Sequence, residues 1–329
     1  MYHAFEIDKH AIAVSRYQYP DIEHHGDVLD ADFYKFADMG IDLVIGGSPC
    51  TFWSIAKVDR EIDKNGMGWK LFMRFVEAVR QIKPRYFLLE NVASMPGNIK
   101  SYISEELGCE PVLINSALVS AQSRKRLYWT NIGGDLGIRQ PADKGILLKD
   151  IINNEVDKKR KTVSEPITFT NKSKTIVSTL LYENAQSMLK RKKMGLLIAN
   201  KVDNCSDICA PLRIGIFGNG YLGDRIYSIK GKSVSMKSQG GGRGALTGLY
   251  KIDLPDGDYV IRKLTPLEAE RCQTLSDNYT AWGIDDKGKT VKISTIQRYR
   301  TIGNGFTADV IAHILSYINN GGFFNERVF

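Results

Sequence analysis

A chain of 329 residues with 43% apolar content can bury the core of one large domain plus a smaller one, which excludes a disordered or fibrous polypeptide. Charge or glycine interrupts every apolar run well before the roughly 18 residues needed to cross a bilayer, and MYHAFEIDKH lacks the apolar region of a signal peptide. The net charge of +8 suits a polyanionic partner without requiring one, and five cysteines without CxxC pairing point to free thiols in a reducing, cytoplasmic compartment.

In chain order, AFEID closes a first strand and DKHAIAVSRYQ reads as a helix with Ile12 and Ala13 inward, stopped at Pro20, which has no N–H to continue the ladder. IDLVIGG (41–47) reads as a buried strand. Phe72, Phe75, Val76, Val79 and Ile82 recur at helical spacing up to Pro84, and RYFLLEN follows as the next strand. PVLINSALV and RLYWTNI complete the strand-like segments of residues 1–150. Strands alternating with amphipathic helices predict an α/β domain, a parallel sheet covered by helices on both faces.

Past Asp150 helical periodicity fades, basic runs appear at 157–161 and 190–193, and glycine becomes dense, so residues 151–261 read as an inserted, smaller β- and loop-rich module. From 262 to 329 the chain returns to the first domain, beginning with TPLEAERCQTL, whose Thr265, Pro266 and Glu268 carry the signals of a capped helix start, and ending on the helical FTADVIAHILSYI.

Ligands of open α/β sheets bind beyond the carboxyl ends of the strands, where this chain places Glu6, Asp27, Cys50 and Glu90-Asn91. Any one of these acids alone is as well explained as a helix cap. Cys50 follows a strand, two glycines and a stiffening proline, an elbow that exposes a side chain; most free cysteines are instead small buried hydrophobes, the reading given to Cys109 and Cys272. Cys205 and Cys209 lack a second ligand pair or nearby histidine, so no metal site is expected. The glycine-rich GIFGNGYLG and QGGGRGALTG lack a GKS or GKT step, which argues against nucleotide triphosphate chemistry.

SPC at 48–50, ENV at 90–92, QSRKR at 122–126 and IGNG at 302–305, in that order and with a variable module before the last, resemble the ordered motifs of the DNA cytosine-5 methyltransferases, over nearly the whole chain. The SIAK-like continuation after SPC is similar to the de novo subgroup and its phage or bacterial relatives. The resemblance implies a Rossmann-like, S-adenosylmethionine-dependent sheet with an inserted target-recognition domain, acting on double-stranded DNA in a bacterial or phage-infected cell. Cytosine C5 is a poor nucleophile until another nucleophile adds at C6. On the resemblance Cys50 is that nucleophile, Glu90 bonds N3 and the exocyclic amine, Arg126 contacts the cytosine O2 and Arg124 helps hold Cys50 and the nearby backbone, on a base flipped out of the duplex. Ser48, Pro49, Asn91, Val92 and Gln122 would complete the substrate contacts, with Asn91 orienting the loop. Arg225, Lys230, Lys232, Lys237 and Arg243 of the module would meet phosphates.

For the cofactor, the resemblance implies Glu6 on the ribose hydroxyls, Ile7 against the adenine, Asp27 and Val28 at the adenine amine, and Gly303 and Asn304 near the methionine part. The family's first strand and FxGxG loop have no counterpart before Glu6, which fits an upstream start, a second polypeptide that supplies the piece, or a remnant that binds DNA without catalysis. A tRNA cytosine-5 methyltransferase is a further alternative, but the CFT run of that branch is missing. An amino-group methyltransferase would carry a DPPY-like step where this chain has SPCT.

Overall fold

The computed structural model describes residues 2–49, 51–54, 59–153, 196–198, 209–217, 223, 225–237, 248–253 and 259–318. The chain forms two compact units, one of Met1–Asn115, Lys125–Pro141 and Val310–Phe329, the other of Ser116–Arg124 and Ala142–Asp309.

In the first unit β1 (Tyr2–Ala4), α1 (Lys9–Gln18) and β2 (Ile22–His24) form a right-sized crossover whose two strands pair in parallel, His3 beside Glu23 and Ala4 beside His24. The Asp8 carboxylate accepts from the His10 and Ala11 amides and so starts α1; the helix ends just before Pro20. Its buried residues are Ala13 and Val14, whereas Ile12, expected inward, is only half-buried. Two 3-10 turns follow, Val28–Asp30 and Phe33–Phe36, and the second carries Phe33 and Phe36 into a small core shared with Phe5 and Val44.

β3 (Leu43–Gly46), α2 (Met67–Ile82), β4 (Tyr86–Val92), α3 (Gly97–Leu107), β5 (Val112–Asn115) and β6 (Lys125–Thr130) build a four-stranded sheet in the order β3-β4-β6-β5. On α2 the periodic Trp69, Phe72, Phe75, Val76 and Val79 are buried against Leu89, Leu127 and Trp129, each large side chain contributing about 1.5–3 kcal/mol of transfer free energy. Lys83, in the left-handed conformation with φ 52, ends the helix ahead of Pro84. Every residue of β4 is buried, while β3, expected buried, is half-buried along its length.

The sheet expected to be parallel is mixed: β3 and β4 are parallel, but β6 runs antiparallel to both β4 and β5, and β1 with β2 forms a separate parallel pair. No crossover helix separates β5 from β6, so the chain can only return in the opposite direction. The strand expected through PVLINSALV also stops at Asn115, because the Ser116 carbonyl accepts the Val119 and Ser120 amides and turns the backbone into a 3-10 turn.

The second unit holds β7 (Leu196–Ile198), β8 (Arg213–Phe217), β9 (Arg225–Ser228), β10 (Leu249–Asp253) and β11 (Tyr259–Arg262) in one sheet of order β11-β10-β9-β8-β7, antiparallel except for β9 with β10. α4 (Pro266–Cys272) begins with the anticipated reciprocal cap between Thr265 and Glu268. A hairpin of β12 (Trp282–Ile284) and β13 (Thr290–Lys292) and the helix α5 (Thr295–Asn304) follow, neither marked by an apolar period in the sequence; α6 (Ala308–Leu315) is the last helix. Tyr227, Tyr250, Ile252, Val260, Ala269, Cys272, Tyr299 and Ile302 form this unit's core. Burial pushes the Cys272 thiol up to about 12 and that of Cys109 up to about 11, so both stay protonated, as expected of structural cysteines. Among the described residues no helix is long and apolar enough to cross a membrane.

Candidate active site

β3 leads into Ser48–Pro49. Gly46 closes the strand under α2, where a Cβ would lie 2.4 Å from the Phe75 ring, so only glycine lets the helix pack this closely at the strand end. Cys50 itself lies outside the described residues, but both flanks are anchored. On one side Asn91 Nδ2 donates to Ser48 O at 3.1 Å and to Ser48 Oγ at 3.0 Å. On the other, Trp53 is fully buried in the α2–β4 core and the Glu61 amide donates to Phe52 O at 2.9 Å. Asn91 thus ties Ser48 to β4. Pro49 is exposed beside Ser48.

β4 and β6 supply the ion pair. Arg126 is registered opposite Val92, diagonal to Glu90 on the same face, and its Nε lies 2.7 Å from Glu90 Oε1. The two side chains are 11% and 12% exposed, and Glu90 Oε2 has no partner among the described residues. A carboxylate with one oxygen held by a guanidinium and the other uncommitted can serve a ligand's N–H groups. Val92, expected to touch substrate, is corrected: its side chain is packed in the core with Met95 and Ile99.

Glu6 and Asp27, the two acids expected at the cofactor, follow the carboxyl ends of the parallel pair β1–β2. Glu6 Oε1 accepts the Ile7 and Asp8 amides at 2.8 Å, and Asp27 Oδ1 accepts the Leu29 amide at 2.9 Å. Each thus caps its own turn and still keeps a second oxygen without a partner among the described residues. Ile7 is 73% exposed, an unpartnered apolar side chain beside an acid. Val28 is half-buried in the small aromatic core. Arg74 of α2, which no local sequence signal singled out, donates to Val28 O at 3.0 Å and also to Ala31 O, and so holds the loop that carries Asp27.

In the second unit the QSR segment is structural. Gln122 is buried; its Nε2 donates to Cys272 O and Gln273 Oε1, both at 3.1 Å, and its Oε1 accepts the Met236 amide at 2.6 Å. With those groups committed, its expected role in substrate binding is corrected to support. Arg124 is also buried and donates to the carbonyls of Met236 at 2.7 Å, Gly303 at 3.2 Å and Gly305 at 3.1 Å. Two of these carbonyls belong to the IGNG turn, so within its own unit Arg124 ties that turn to Met236. Gly303 is buried near the end of α5 and Asn304 is exposed at its last position.

Gln273, which sequence reading missed, is the hub of this network: its Nε2 donates to Ile302 O at 2.8 Å and Gly305 O at 3.2 Å, and its Oε1 accepts from Thr307 at 2.8 Å. Lys232 is another correction. It is fully buried, its Nζ donating to the carbonyls of Ala117, Ser120 and Ile146, with burial lowering its pKa, so it is not available to a phosphate. Arg225 sits half-buried on β9, Lys230 is exposed and Lys237 half-buried, while Arg243 lies outside the described residues.

A parallel strand pair followed by Glu6 and Asp27, and an open α/β sheet whose strand ends carry the Ser48–Pro49 turn and Glu90-Asn91, form the frame of a Rossmann-like methyltransferase. The fold agrees with solved structures: an Entamoeba histolytica methyltransferase matches with TM-score 0.60 at 14% identity, covering 96% of this chain and 88% of that one. A putative DNA modification methyltransferase encoded within an E. coli prophage matches with TM-score 0.57 at 19% identity, covering 97% and 92%.

The profile of C-5 cytosine-specific DNA methylases matches residues 1–320, and the chain belongs to that family. Among curated relatives, the type II methyltransferase M.HhaI of Haemophilus parahaemolyticus is 24% identical over 95% of this chain and 84% of its own length. The Staphylococcus aureus M.Sau3AI is 24% identical over 94% and 86%, and an orphan methyltransferase of Bacillus phage rho11s is 26% identical over 76% of this chain and 55% of its own. The chain is a DNA cytosine-5 methyltransferase. The tRNA enzyme and the non-catalytic remnant are not favoured.

Proposed function

We propose that Cys50, Glu90 and Arg126 carry the chemistry on a cytosine flipped out of double-stranded DNA. The Cys50 thiolate adds to C6 and gives C5 enamine character; once C5 carries the new methyl group, a water-derived base takes the C5 proton and the thiolate leaves C6, which restores the aromatic ring. Glu90 accepts from the exocyclic amine and, carrying a proton on one carboxyl oxygen, donates it to N3, which neutralises the negative charge that thiolate addition places on the ring. Arg126 keeps Glu90 aligned and turns its remaining N–H groups to the cytosine O2. The observation that carries this reading is the half-satisfied Glu90–Arg126 pair on β4 and β6 beside the strand that leads into the SPC turn.

S-adenosylmethionine, the donor used by this family, would supply an electrophilic sulfonium methyl group. The uncommitted oxygens of Glu6 and Asp27 fit ribose hydroxyls and an adenine amine, and exposed Ile7 offers the purine an apolar face. Gly303 and Asn304 would face the methionine part. Residues 151–261 would read the target, flanked by 1–150 and 262–329 as the catalytic domain, with Arg225, Lys230, Lys237 and Arg243 on phosphates. Ser48 and Pro49 would line the cytosine pocket. Bacterial and phage relatives favour a bacterial or phage-infected cytoplasm. A first strand supplied by a second polypeptide draws no support from these relatives.

Substituting Cys50→Ala tests the reading. Methyl transfer to DNA is expected to fall more than about 1,000-fold, and covalent capture of a 5-fluorocytosine oligonucleotide to vanish. Methylation that persists in the variant sinks the mechanism.

A further inference from the structure

We propose that His3, Glu23 and His25 form a binding site for a divalent transition-metal ion, zinc foremost. The site follows from strand geometry. Alternation along β2 and the residue after it puts Glu23 and His25 on one face, and the parallel register of β1 with β2 sets His3 directly beside Glu23. The His25 amide extends the ladder by donating to Ala4 O at 2.9 Å, which holds His25 in line with the strand.

Three ligand atoms converge as a result. His3 Nδ1 lies 3.0 Å from His25 Nε2 and 3.3 Å from Glu23 Oε2, and His25 Nε2 lies 4.0 Å from that same oxygen. Ligands about 2.0–2.1 Å from a tetrahedral zinc are separated from one another by about 3.3 Å, so one ion fits between these atoms with small side-chain adjustments.

The imidazoles are also fixed from behind. Both pack edge-on against Phe36 at 5.1 Å, and His25 meets Phe5 at 5.4 Å, so aromatic contacts rather than the ion select their rotamers. His3 is the buried member, while Glu23 and His25 open to solvent, which leaves room for a water as fourth ligand. Two imidazoles and one carboxylate suit zinc or cobalt and disfavour magnesium and calcium, which take all-oxygen shells. A bound ion would tie β1 to β2 across the pair.

Cobalt(II) titration of chelator-treated full-length chain tests the site. One equivalent is expected to bind with visible d–d bands and without a sulfur charge-transfer band, zinc should displace it, and zinc should raise Tm. His25→Ala should weaken binding at least about 100-fold and Glu23→Gln by about 10-fold, each losing the Tm rise. His25→Gln, close in size, repeats the measurement should the alanine variant fail to fold, with circular dichroism as the check on structure. No stoichiometric uptake, a thiolate spectrum, or unchanged affinity in the His25 variant overturns the proposal. The first of these outcomes would leave a histidine–histidine hydrogen bond capped by Glu23.

Discussion

Each unit of this chain has a carboxylate–arginine pair, and the two differ in how completely they are satisfied. Glu268 and Arg262, 0% and 3% exposed, meet through two contacts of 2.7 and 2.8 Å, and Glu268 also accepts the Thr265 and Asn153 amides. Among the described residues Glu90 and Arg126 meet through one contact and leave a Glu90 oxygen over. A saturated buried pair has nothing left to give a ligand and acts as a clamp. A half-satisfied pair at a strand end is held in position yet can still bind, which is what a catalytic carboxylate requires.

The largest expected effect breaks the second kind of pair. Glu90→Gln keeps the shape and removes the charge, so methylation of DNA should slow by about 100- to 10,000-fold while Tm changes little; an active variant would place Glu90 outside the reaction. Steady-state methyl transfer and thermal melting, measured on the same preparation, separate the two outcomes.

Glu268→Gln should do the reverse, costing about 3 kcal/mol of stability by denaturant titration. Its pH dependence has a definite sign. Burial alone raises the Glu268 carboxyl pKa, but the Arg262 guanidinium and the two backbone amides outweigh burial and hold it below its ordinary value. The pair's contribution is therefore full above the ordinary carboxylate range and fades as pH falls through the lowered folded pKa. Acid unfolding should show this loss in the native chain and not in the variant.

The smallest effect concerns two basic residues that the sequence could not separate. Arg225→Ala should lower DNA affinity and reduce the slope of log affinity against log salt by about 1. Lys232→Met should leave that slope unchanged and lower Tm instead, because its ammonium is bound to three carbonyls. A changed slope in the Lys232 variant would mean that this lysine reaches phosphate after all.

Much of the site was legible because its chemistry is local in sequence. The SPC step, the Glu-Asn step at the end of β4 and the acids after β1 and β2 each follow an apolar run that can be read directly, and the structure puts Ser48–Pro49, Glu90-Asn91 and these acids at or just beyond strand ends. Gln122, Val92 and Lys232 were misread for one reason: side-chain type states what a residue can bond, and burial decides whether anything remains to bond. Gln273 and Arg74 were missed because their partners are distant in sequence, 29 residues on for Ile302 and 46 residues back for Val28. The His3–Glu23–His25 cluster was invisible as a spacing pattern because a strand register, rather than a helix turn, brings its members together.

The sequence by itself determined the family, the strand–helix alternation of the first domain and the capped start of α4, since these rest on residue order, periodicity and neighbouring side chains. Only the tertiary structure decided that β6 runs against β4, that Arg124 is bonded to backbone carbonyls while Arg126 reaches a carboxylate, and which lysine is sealed inside. Strand direction, burial and hydrogen-bond saturation depend on segments far apart in the chain, and no local pattern encodes them.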